Sequence, residues 1–286
     1  MSSEASDGVR VKEEVRQEWS GAAPGWRKWD TQLMAWTSAG TELIREAAQV
    51  KTGMEVLDLA SGTGELALTL AAVVGPDGHV IATDLVPEML AAAEQKARAR
   101  GVPRIGFQYA DAEALPFSDQ RFDLVTCRWG VMHFPNPGQA LREAYRVLRP
   151  GGRAVLVAWG PVEQNGFFAA MGGPFAKRGL LPPPAPGTPS PFQFARSGTL
   201  SAVMAAAGFQ QVTEDVRPIT MSWPGPVEQW MASLPDTSTT FRRLTESVPQ
   251  EQLHEALAEV RALAQQHFDG QRVNFPVAVI LATGVR

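Results

Sequence analysis

Residues 54–67 read MEVLDLASGTGELA. Its short apolar run predicts a buried strand over residues 54–60, and the residues from about 63 to 74 continue as a helix. The turn between them contains small residues, which let a ligand approach the backbone and meet exposed N–H groups. A strand, a glycine-rich turn and a helix in this order predict the first βα unit of a ligand-binding sheet.

The same alternation continues along the chain. Short apolar runs predict four more strands, over residues 80–84, 105–109, 122–127 and 154–159. Helices are predicted over residues 87–100 and 137–148, and a turn at 150–152 precedes the fifth strand. Strands that alternate with helices are typical of a parallel α/β sheet.

The second half of the chain is less regular. Residues 181–191, LPPPAPGTPSP, are too rich in proline for a helix or a central strand and are interpreted as a loop or flap. The remaining predicted elements are a helix over 197–207, an extended run over 209–221, helical segments over 227–234 and 250–267, and a last strand over 273–283.

Acidic residues follow the second and third predicted strands. Asp84 lies 20 residues after Gly64, a spacing at which a carboxylate can accept hydrogen bonds from ribose hydroxyls. Asp111 follows the third strand at the same edge of the sheet, where it could bind an adenine amino group. These features indicate an adenosine-type ligand, and the alternative is a tight turn beside a solvated aspartate.

The turn also satisfies the dinucleotide pattern G-x-G-x-x-G/A, because residues 62–67 read GTGELA. Asp58 and Glu65 flank it, however, and acidic groups there repel a pyrophosphate and favour a cationic ligand. S-adenosylmethionine carries a sulfonium and an ammonium group and no phosphate. A P-loop is excluded, since no Lys-Ser/Thr pair follows the turn.

Two later motifs complete the set. Residues 121–137 read RFDLVTCRWGVMHFPNP and residues 146–153 read RVLRPGGR. With the glycine turn and the aspartates, they resemble the class I methyltransferases of the ubiquinone/menaquinone-biosynthesis and small-molecule (type 11) family, over about residues 54–159. The resemblance implies a Rossmann-like, seven-stranded, mostly parallel sheet with helices on both faces, an antiparallel last strand, and S-adenosyl-L-methionine as cofactor.

The resemblance also assigns contacts to the strand ends. The first turn would hold the methionine end of the cofactor, the second strand end the ribose, the third the adenine, and the backbone after the fourth the sulfonium. The expected cofactor-binding residues there are Asp58, Ala60, Ser61, Gly62, Thr63, Asp84, Leu85, Met89, Asp111, Ala112, Arg128, Trp129 and His133. Ala60 departs from the family, which most often has glycine at this position, and we expect binding to survive its small methyl group.

Four of the eight tryptophans precede the first strand, at Trp19, Trp26, Trp29 and Trp36. This segment resembles the helical lid of related methyltransferases, whose aromatic rings cover the cofactor and can hold a sulfonium by cation–π attraction. We therefore predict cofactor contacts for Trp26 and Trp29. The alternative is that the near-helical spacing only buries a helix on the sheet.

His133 is the candidate catalytic residue. It follows the fourth strand, and a neutral imidazole there could take the acceptor proton as the methyl group transfers. In the competing interpretation His133 orders its loop, and catalysis rests on proximity and desolvation. No cluster has metal-ligand spacing, so no metal is expected, and Cys127 is interpreted as a buried apolar residue.

The composition favours an enzyme with a small-molecule partner. The 286 residues are 44% apolar, which can bury a full core, and a net charge of −4 argues against nucleic acid as a partner. The apolar runs are shorter than the roughly 20 residues that a membrane helix needs. With one cysteine and no secretory signal, we expect a cytoplasmic protein without an integral membrane segment; the sequence leaves its oligomeric state open.

We expect a single methyltransferase domain over residues 1–286. Its cofactor-binding core would comprise about residues 40–160, 197–222 and 271–286, and its lid and substrate cap about residues 1–39, 160–196 and 223–270. The cap is rich in apolar and aromatic residues, which could enclose an apolar or aromatic acceptor or could only pack on the sheet.

The resemblance implies methyl transfer to oxygen or carbon of a small metabolite. Two alternatives remain open at this point. One is an NAD-dependent oxidoreductase, and the other is a homologue that keeps the cofactor site and no longer methylates.

Overall fold

Seven strands form one sheet in the computed structural model, which describes residues 3–181 and 188–286, with side chains from residue 8 onward. The strands are β1 Glu55–Leu59, β2 His79–Asp84, β3 Ile105–Tyr109, β4 Phe122–Arg128, β5 Leu148–Trp159, β6 Gln210–Pro224 and β7 Arg272–Val285. Their order is β3-β2-β1-β4-β5-β7-β6. Strands β1 to β5 pair in parallel and β7 is antiparallel to β5 and β6, which confirms the expected Rossmann-like sheet.

Ten α-helices pack around this sheet within the described residues. They are α1 Ser3–Lys28, α2 Asp30–Ala48, α3 Glu65–Val74, α4 Pro87–Ala99, α5 Pro137–Val147, α6 Gly166–Lys177, α7 Thr199–Ala206, α8 Val227–Thr237, α9 Thr239–Ser247 and α10 Gln250–Gln266. Helices α3 and α4 contact β1, β2 and β3, whereas α2 contacts β4, β5 and β6. Among the described residues, no helix combines the length and the apolar character that a membrane crossing requires.

The predicted turn at 150–152 is instead a bulge inside β5. Leu148 pairs with Phe122 of β4, but the next paired residue of β5 is Arg153, opposite Leu124. Gly151, with a φ of 80°, donates its N–H to the carbonyl of Arg286. The N–H of Gly151 therefore has a hydrogen-bond partner in the residue that follows β7, and β5 continues through the bulge.

Two cap helices were absent from the sequence prediction. Helix α6 contains Pro174 and two adjacent glycines, which conceal its helical pattern. Helix α9 is short and polar, and it is fixed by Ser238, whose side chain accepts a hydrogen bond from the N–H of Phe241. The predicted 181–191 loop lies partly outside the described residues, which exclude 182–187.

The core lies on both faces of the central strands. In β1 the last four residues are all buried, as expected for a parallel strand covered by helices on two sides. Cys127 of β4 is buried as well, and burial raises the pKa of its thiol, which agrees with a role as a small apolar residue. The polar residues at the carboxyl ends of these strands are therefore positioned by strands whose own residues are buried in the core.

Candidate cofactor site and active site

The chain leaves β1 through three positions with left-handed backbone. Ala60, Gly62 and Gly64 have φ angles of 50°, 55° and 81°. Ser61 closes the turn, since its Oγ donates a 2.9 Å hydrogen bond to the backbone oxygen of Asp58. A methyl group placed on Gly62 would meet no atom of the described chain within 4 Å. The space above this turn is therefore open to a ligand.

The methyl group of Ala60 is accommodated because the neighbouring residue after the fourth strand, Gly130, has no side chain. A methyl group on Gly130 would lie 2.5 Å from Cβ of Ala60 and 2.8 Å from Sγ of Cys127. Left-handed backbone is unfavourable for alanine, which explains why glycine is the easier residue at position 60. The ends of the first and fourth strands can therefore lie close together because the residues that meet there, Ala60 and Gly130, are small.

Asp58 is a buried carboxylate next to the turn. Its Oδ1 accepts a 2.7 Å hydrogen bond from Oγ1 of Thr126, and its Oδ2 is buried without a hydrogen-bond partner among the described residues. Burial raises the pKa of Asp58 to about 6. An unpartnered carboxylate oxygen at this position suits a cationic ligand or one that donates a hydrogen bond.

Asp84 joins the end of β2 to the turn. Its Oδ2 accepts a 2.8 Å hydrogen bond from the N–H of Gly62, and its Oδ1 accepts one of 2.9 Å from the N–H of Val86. Desolvation raises the pKa of Asp84 to about 6. A carboxylate has about four acceptor positions, so further positions remain for ligand hydroxyls.

Asp111 lies just past β3 and is reached by the N-terminal helix. Nζ of Lys12 lies 2.6 Å from Oδ2 of Asp111 and 2.9 Å from Oε2 of Glu113. The other oxygen of Asp111 accepts a hydrogen bond from the N–H of Glu113. Desolvation opposes the charge on Lys12, but the two carboxylates outweigh it and hold the pKa of Lys12 above its ordinary value.

Helix α1 lies over the strand ends as a lid. The rings of Trp19 and Trp26 meet edge to face at 5.8 Å. Both pack against a small buried cluster of Ala23, Val86 and Met89, of which the last two follow the Asp84 strand end. Nε1 of Trp26 also donates a 3.1 Å hydrogen bond to the carbonyl of Thr237. The structure thus brings Trp26 and Met89 together beside the predicted ribose position.

Trp29 takes a different direction. Its Nε1 donates a 2.8 Å hydrogen bond to Oδ2 of Asp236, and its ring lies 5.8 Å from that of Trp223. These contacts join the lid to α8 and β6, and they agree with the packing alternative for this residue. Cofactor contact by Trp29 stays a prediction.

Arg128 and Glu65 form a nearly buried ion pair. The guanidinium of Arg128 contacts the Glu65 carboxylate and donates a 2.6 Å hydrogen bond to Oγ1 of Thr41 in α2. Thr41 in turn donates to Glu65. From the sequence, the negative charge of Glu65 is expected to repel a pyrophosphate. In the structure, the guanidinium of Arg128 balances that charge within the protein.

Aromatic rings extend from the fourth strand end toward residues 188–196, which we call the flap. Trp129, with a φ of 56°, stacks on Trp159 at 4.9 Å. Phe168 meets Trp159 at 5.0 Å, and Phe192 meets Phe168 at 4.7 Å. We call these four residues the aromatic row. Trp159 is buried, whereas the other three are half-buried.

His133 ends a 3₁₀ turn, Val131–His133, that follows β4. Its imidazole meets the edge of Trp19 at 5.2 Å and an angle of 77°. Burial lowers the pKa of His133 to about 4, so the ring is neutral near pH 7. The flap lies next to this turn, because Nε2 of Gln193 donates a 2.6 Å hydrogen bond to the carbonyl of Met132.

The remaining expected residues also lie at the strand ends. Ser61 and Thr63 are buried within the turn. Leu85 and Ala112 are half-buried and come directly after β2 and just after β3. Their positions agree with the ribose and adenine assignments, which stay predictions.

Sequence reasoning missed Lys12, Trp19 and Gln193 as site residues. A signal for the first two exists, because Lys12, Trp19 and Trp26 are spaced by seven and share one face of a helix. The contact of Gln193 with Met132 joins residues 61 positions apart and depends on how the flap folds back.

The chain matches known methyltransferases over its sheet region. A profile of the ubiE/COQ5 methyltransferase family matches residues 35–173. A demethylmenaquinone methyltransferase from Thermus thermophilus is 37% identical over 191 residues, which cover 62% of this chain and 81% of that protein. A ubiquinone/menaquinone biosynthesis C-methyltransferase UbiE from Xanthomonas campestris is 44% identical over 122 residues. That match covers 42% of this chain and 48% of the relative.

A solved structure shares the fold across most of the chain. The BH2331 protein from Bacillus halodurans superposes with a TM-score of 0.55 and is 26% identical. The superposition covers 87% of this chain and 98% of the other. The likeness to solved structures therefore extends beyond the family profile, which ends at residue 173, before β6 and β7.

Proposed function

This chain belongs to the ubiE/COQ5 family of class I S-adenosylmethionine-dependent methyltransferases, and from that premise we propose that it methylates a ring carbon of a reduced, quinone-type small molecule. The observation that carries this proposal is the aromatic row, which runs from Trp129 after the fourth strand to Phe192 and includes half-buried rings that a planar, apolar acceptor could contact. The names of the two relatives, which refer to menaquinone and to C-methylation, support the same acceptor class and atom.

The turn residues fit S-adenosylmethionine, the methyl donor of this family. The unpartnered Oδ2 of Asp58 and the open space above Gly62 suit a ligand with a cationic amino-acid portion and no phosphate. Asp84 would bind the ribose and Asp111 the adenine. When bound, the cofactor supplies an electrophilic methyl group. Membership of this family excludes the nicotinamide-dependent alternative.

The acceptor would lie between the lid, the 3₁₀ turn and the flap. Phe168 and Phe192 contact each other with half-buried rings, and Trp19 contacts His133 after the fourth strand end. We assign the lid and cap to about residues 1–39, 160–196 and 223–270, which would close over the acceptor and exclude water. Such enclosure by apolar rings contributes alignment and desolvation, the main requirements for methyl transfer.

His133 would act on a hydroxyl of the acceptor. As the ring carbon next to that hydroxyl forms its bond to the methyl group, the hydroxyl proton moves to a neutral imidazole nitrogen of His133. The C–H proton of that carbon is then lost to solvent, which restores the aromatic ring, and His133 returns its proton to the oxygen, so that the product keeps both hydroxyls. Because burial lowers the pKa of His133 to about 4, the imidazole is a weak base and takes the proton only as the new bond forms. Proximity therefore supplies most of the rate, and His133 a smaller part.

The test uses 1,4-naphthohydroquinone, kept reduced under nitrogen, with S-adenosylmethionine and the purified protein. We expect a product heavier by one methyl group that keeps both hydroxyls, as carbon methylation requires. The His133→Gln variant should lose about 10²-fold in kcat. A product methylated on oxygen would overturn the choice of atom. Cofactor binding without any product from a panel of hydroquinones and phenols would favour a homologue that no longer methylates.

A further inference from the structure

Trp19 is the lid residue that contacts the proposed base. Its ring lies 5.2 Å from the His133 imidazole in an edge-to-face arrangement, and its other aromatic neighbour is Trp26. Trp19 and His133 are both half-buried, and they come from elements 114 residues apart in the chain, α1 and the 3₁₀ turn after β4. The contact therefore exists only while α1 lies over the strand ends.

Anchors on both sides of Trp19 fix its place. Seven residues before it, Lys12 is paired with Asp111 beyond β3. Seven residues after it, Nε1 of Trp26 is bonded to the carbonyl of Thr237 at the end of α8. Residues spaced by seven lie within about 20° per step on one helix face, so the three side chains point to the same side. The helix is thus held at two points, with the indole of Trp19 between them.

The charged groups near this contact are engaged with other partners. Glu18, next to Trp19, contacts Arg243 of α9 at 2.9 Å. On the other side, Glu113 accepts hydrogen bonds from Lys12 and from the N–H of Asn136, in the loop that follows His133. Gln193, which joins the flap to this turn, is neutral. Burial is the cause that lowers the pKa of His133, and no charge from the described residues offsets it.

We infer that Trp19 is a positioning residue for His133, which seats the imidazole and keeps water from it when the lid is closed. The role of His133 rests on the proposed function, whereas the contact between the two rings does not. Lid closure and the state of the base are then coupled through one side chain. In this arrangement an open lid leaves His133 hydrated and free to protonate, and a closed lid makes it neutral and oriented.

The first experiment is an NMR titration of the four histidines in the 286-residue chain without ligand, with His133 assigned from the His133→Gln variant. We expect Trp19→Leu, which keeps apolar bulk, and Trp19→Ala to raise the pKa of His133 by at least about one unit. Trp19→Phe keeps an aromatic edge and should leave it near the wild-type value. The other three histidines serve as internal references.

Tyr145→Leu is the matched control, since it removes a half-buried aromatic ring that packs on Phe209, in α5 and outside the lid. It should lower the thermal midpoint and leave the His133 titration unchanged. An unchanged pKa in Trp19→Leu, or an equal rise in Tyr145→Leu, would overturn the inference. Because this titration needs no methyl acceptor, a failure to methylate hydroquinones would count against the proposed function and leave this result standing.

The second readout is the pH dependence of kcat with whichever acceptor is methylated. Trp19→Leu should shift the acidic limb to higher pH and lower kcat at least about tenfold at pH 7, with a smaller change in KM. Trp19→Phe should restore kcat to within about threefold of wild type. A loss confined to KM would show that Trp19 only binds the acceptor, and the positioning role would be wrong.

Discussion

The backbone N–H of Gly62 donates a 2.8 Å hydrogen bond to Oδ2 of Asp84, so the glycine turn after β1 is held by the residue that ends β2. This bond joins the two elements whose spacing first indicated an adenosine-type ligand. It gives Asp84 two roles, since the same carboxylate fixes the turn and offers further acceptor positions to a ribose.

Asp84→Ala should therefore weaken S-adenosylmethionine binding by about 1–3 kcal/mol, the usual loss when a charged hydrogen-bond partner is removed. Calorimetric titration measures this directly. Asp77→Ala, in the exposed turn after α3, is the control and should bind as wild type does. An affinity unchanged by Asp84→Ala would refute the ribose assignment.

Asp58 should make stability fall as pH rises. Burial raises its pKa from 3.8 to about 6, so the folded state binds a proton that the unfolded state has lost between these values. Its contribution is most favourable below pH 4, declines through pH 4–6 and stays low above that. Asp58→Asn should remove this decline and, relative to wild type, stabilise the protein at pH 7.5 by up to about 3 kcal/mol.

Urea unfolding of wild type and Asp58→Asn at pH 5 and pH 7.5 tests this linkage. The same variant should weaken cofactor binding, because the amide lacks the charge that the carboxylate offers to a cation. If the stability difference between the two proteins were the same at both pH values, Asp58 would not titrate in this range.

The three aspartates could be placed from the sequence because a parallel sheet brings the carboxyl ends of its strands to one edge. Asp58, Asp84 and Asp111 each follow or end a predicted strand, and β1, β2 and β3 are neighbours in the sheet. Strand pattern and spacing were sufficient for this result. The left-handed backbone of Ala60 was equally accessible in outline, since the family has glycine there.

The partners of these residues could not be placed in the same way. Lys12 meets Asp111 across 99 residues, and Arg128 meets Glu65 across 63. Such pairs depend on the docking of α1 and α2 over the strand ends, which local periodicity does not specify. The spacing of seven that includes Lys12 predicts a shared helix face, but not the surface that this face covers.

Gly130 and Ala60 should show strong energetic coupling. Gly130→Ala places a methyl group 2.5 Å from Cβ of Ala60, which we expect to destabilise the fold by about 1–3 kcal/mol through overpacking. Ala60→Gly alone should change stability by less than about 1 kcal/mol, since relief of the left-handed backbone offsets the entropy of glycine. In the double variant the added methyl group gains room, although Sγ of Cys127 still limits it.

A double-mutant cycle in urea measures this coupling. We expect an interaction energy of about 0.5–2 kcal/mol in favour of the double variant. Gly62→Ala, which adds a methyl group into open space at a left-handed position, separates backbone strain from packing. Additive effects of the two substitutions would show that the strand ends separate to accept the methyl group.

Removing one partner of the Arg128–Glu65 ion pair should lower the free energy of unfolding strongly, whereas replacing both charged groups should lower it much less. Both side chains are about 11% exposed, so Arg128→Met leaves a carboxylate nearly buried beside Thr41 without its counter-charge. We expect a loss of about 3–5 kcal/mol, measured by urea unfolding. Adding Glu65→Gln removes the stranded charge and should recover more than half of that loss, because glutamine can still accept the hydrogen bond of Thr41.

The salt bridge on the surface of α4 between Arg98 and Glu94 is the matched control. Both of its side chains are largely exposed, and Arg98→Met should change stability by less than about 1 kcal/mol. Equal losses at the two sites, or no recovery in the Arg128→Met and Glu65→Gln double variant, would show that the packing of Arg128 and not charge balance holds α2 against the fourth strand end. A recovery would instead mean that the fold tolerates a neutral pair at positions 65 and 128. Any remaining loss of cofactor affinity in the double variant would then be due to the missing charges.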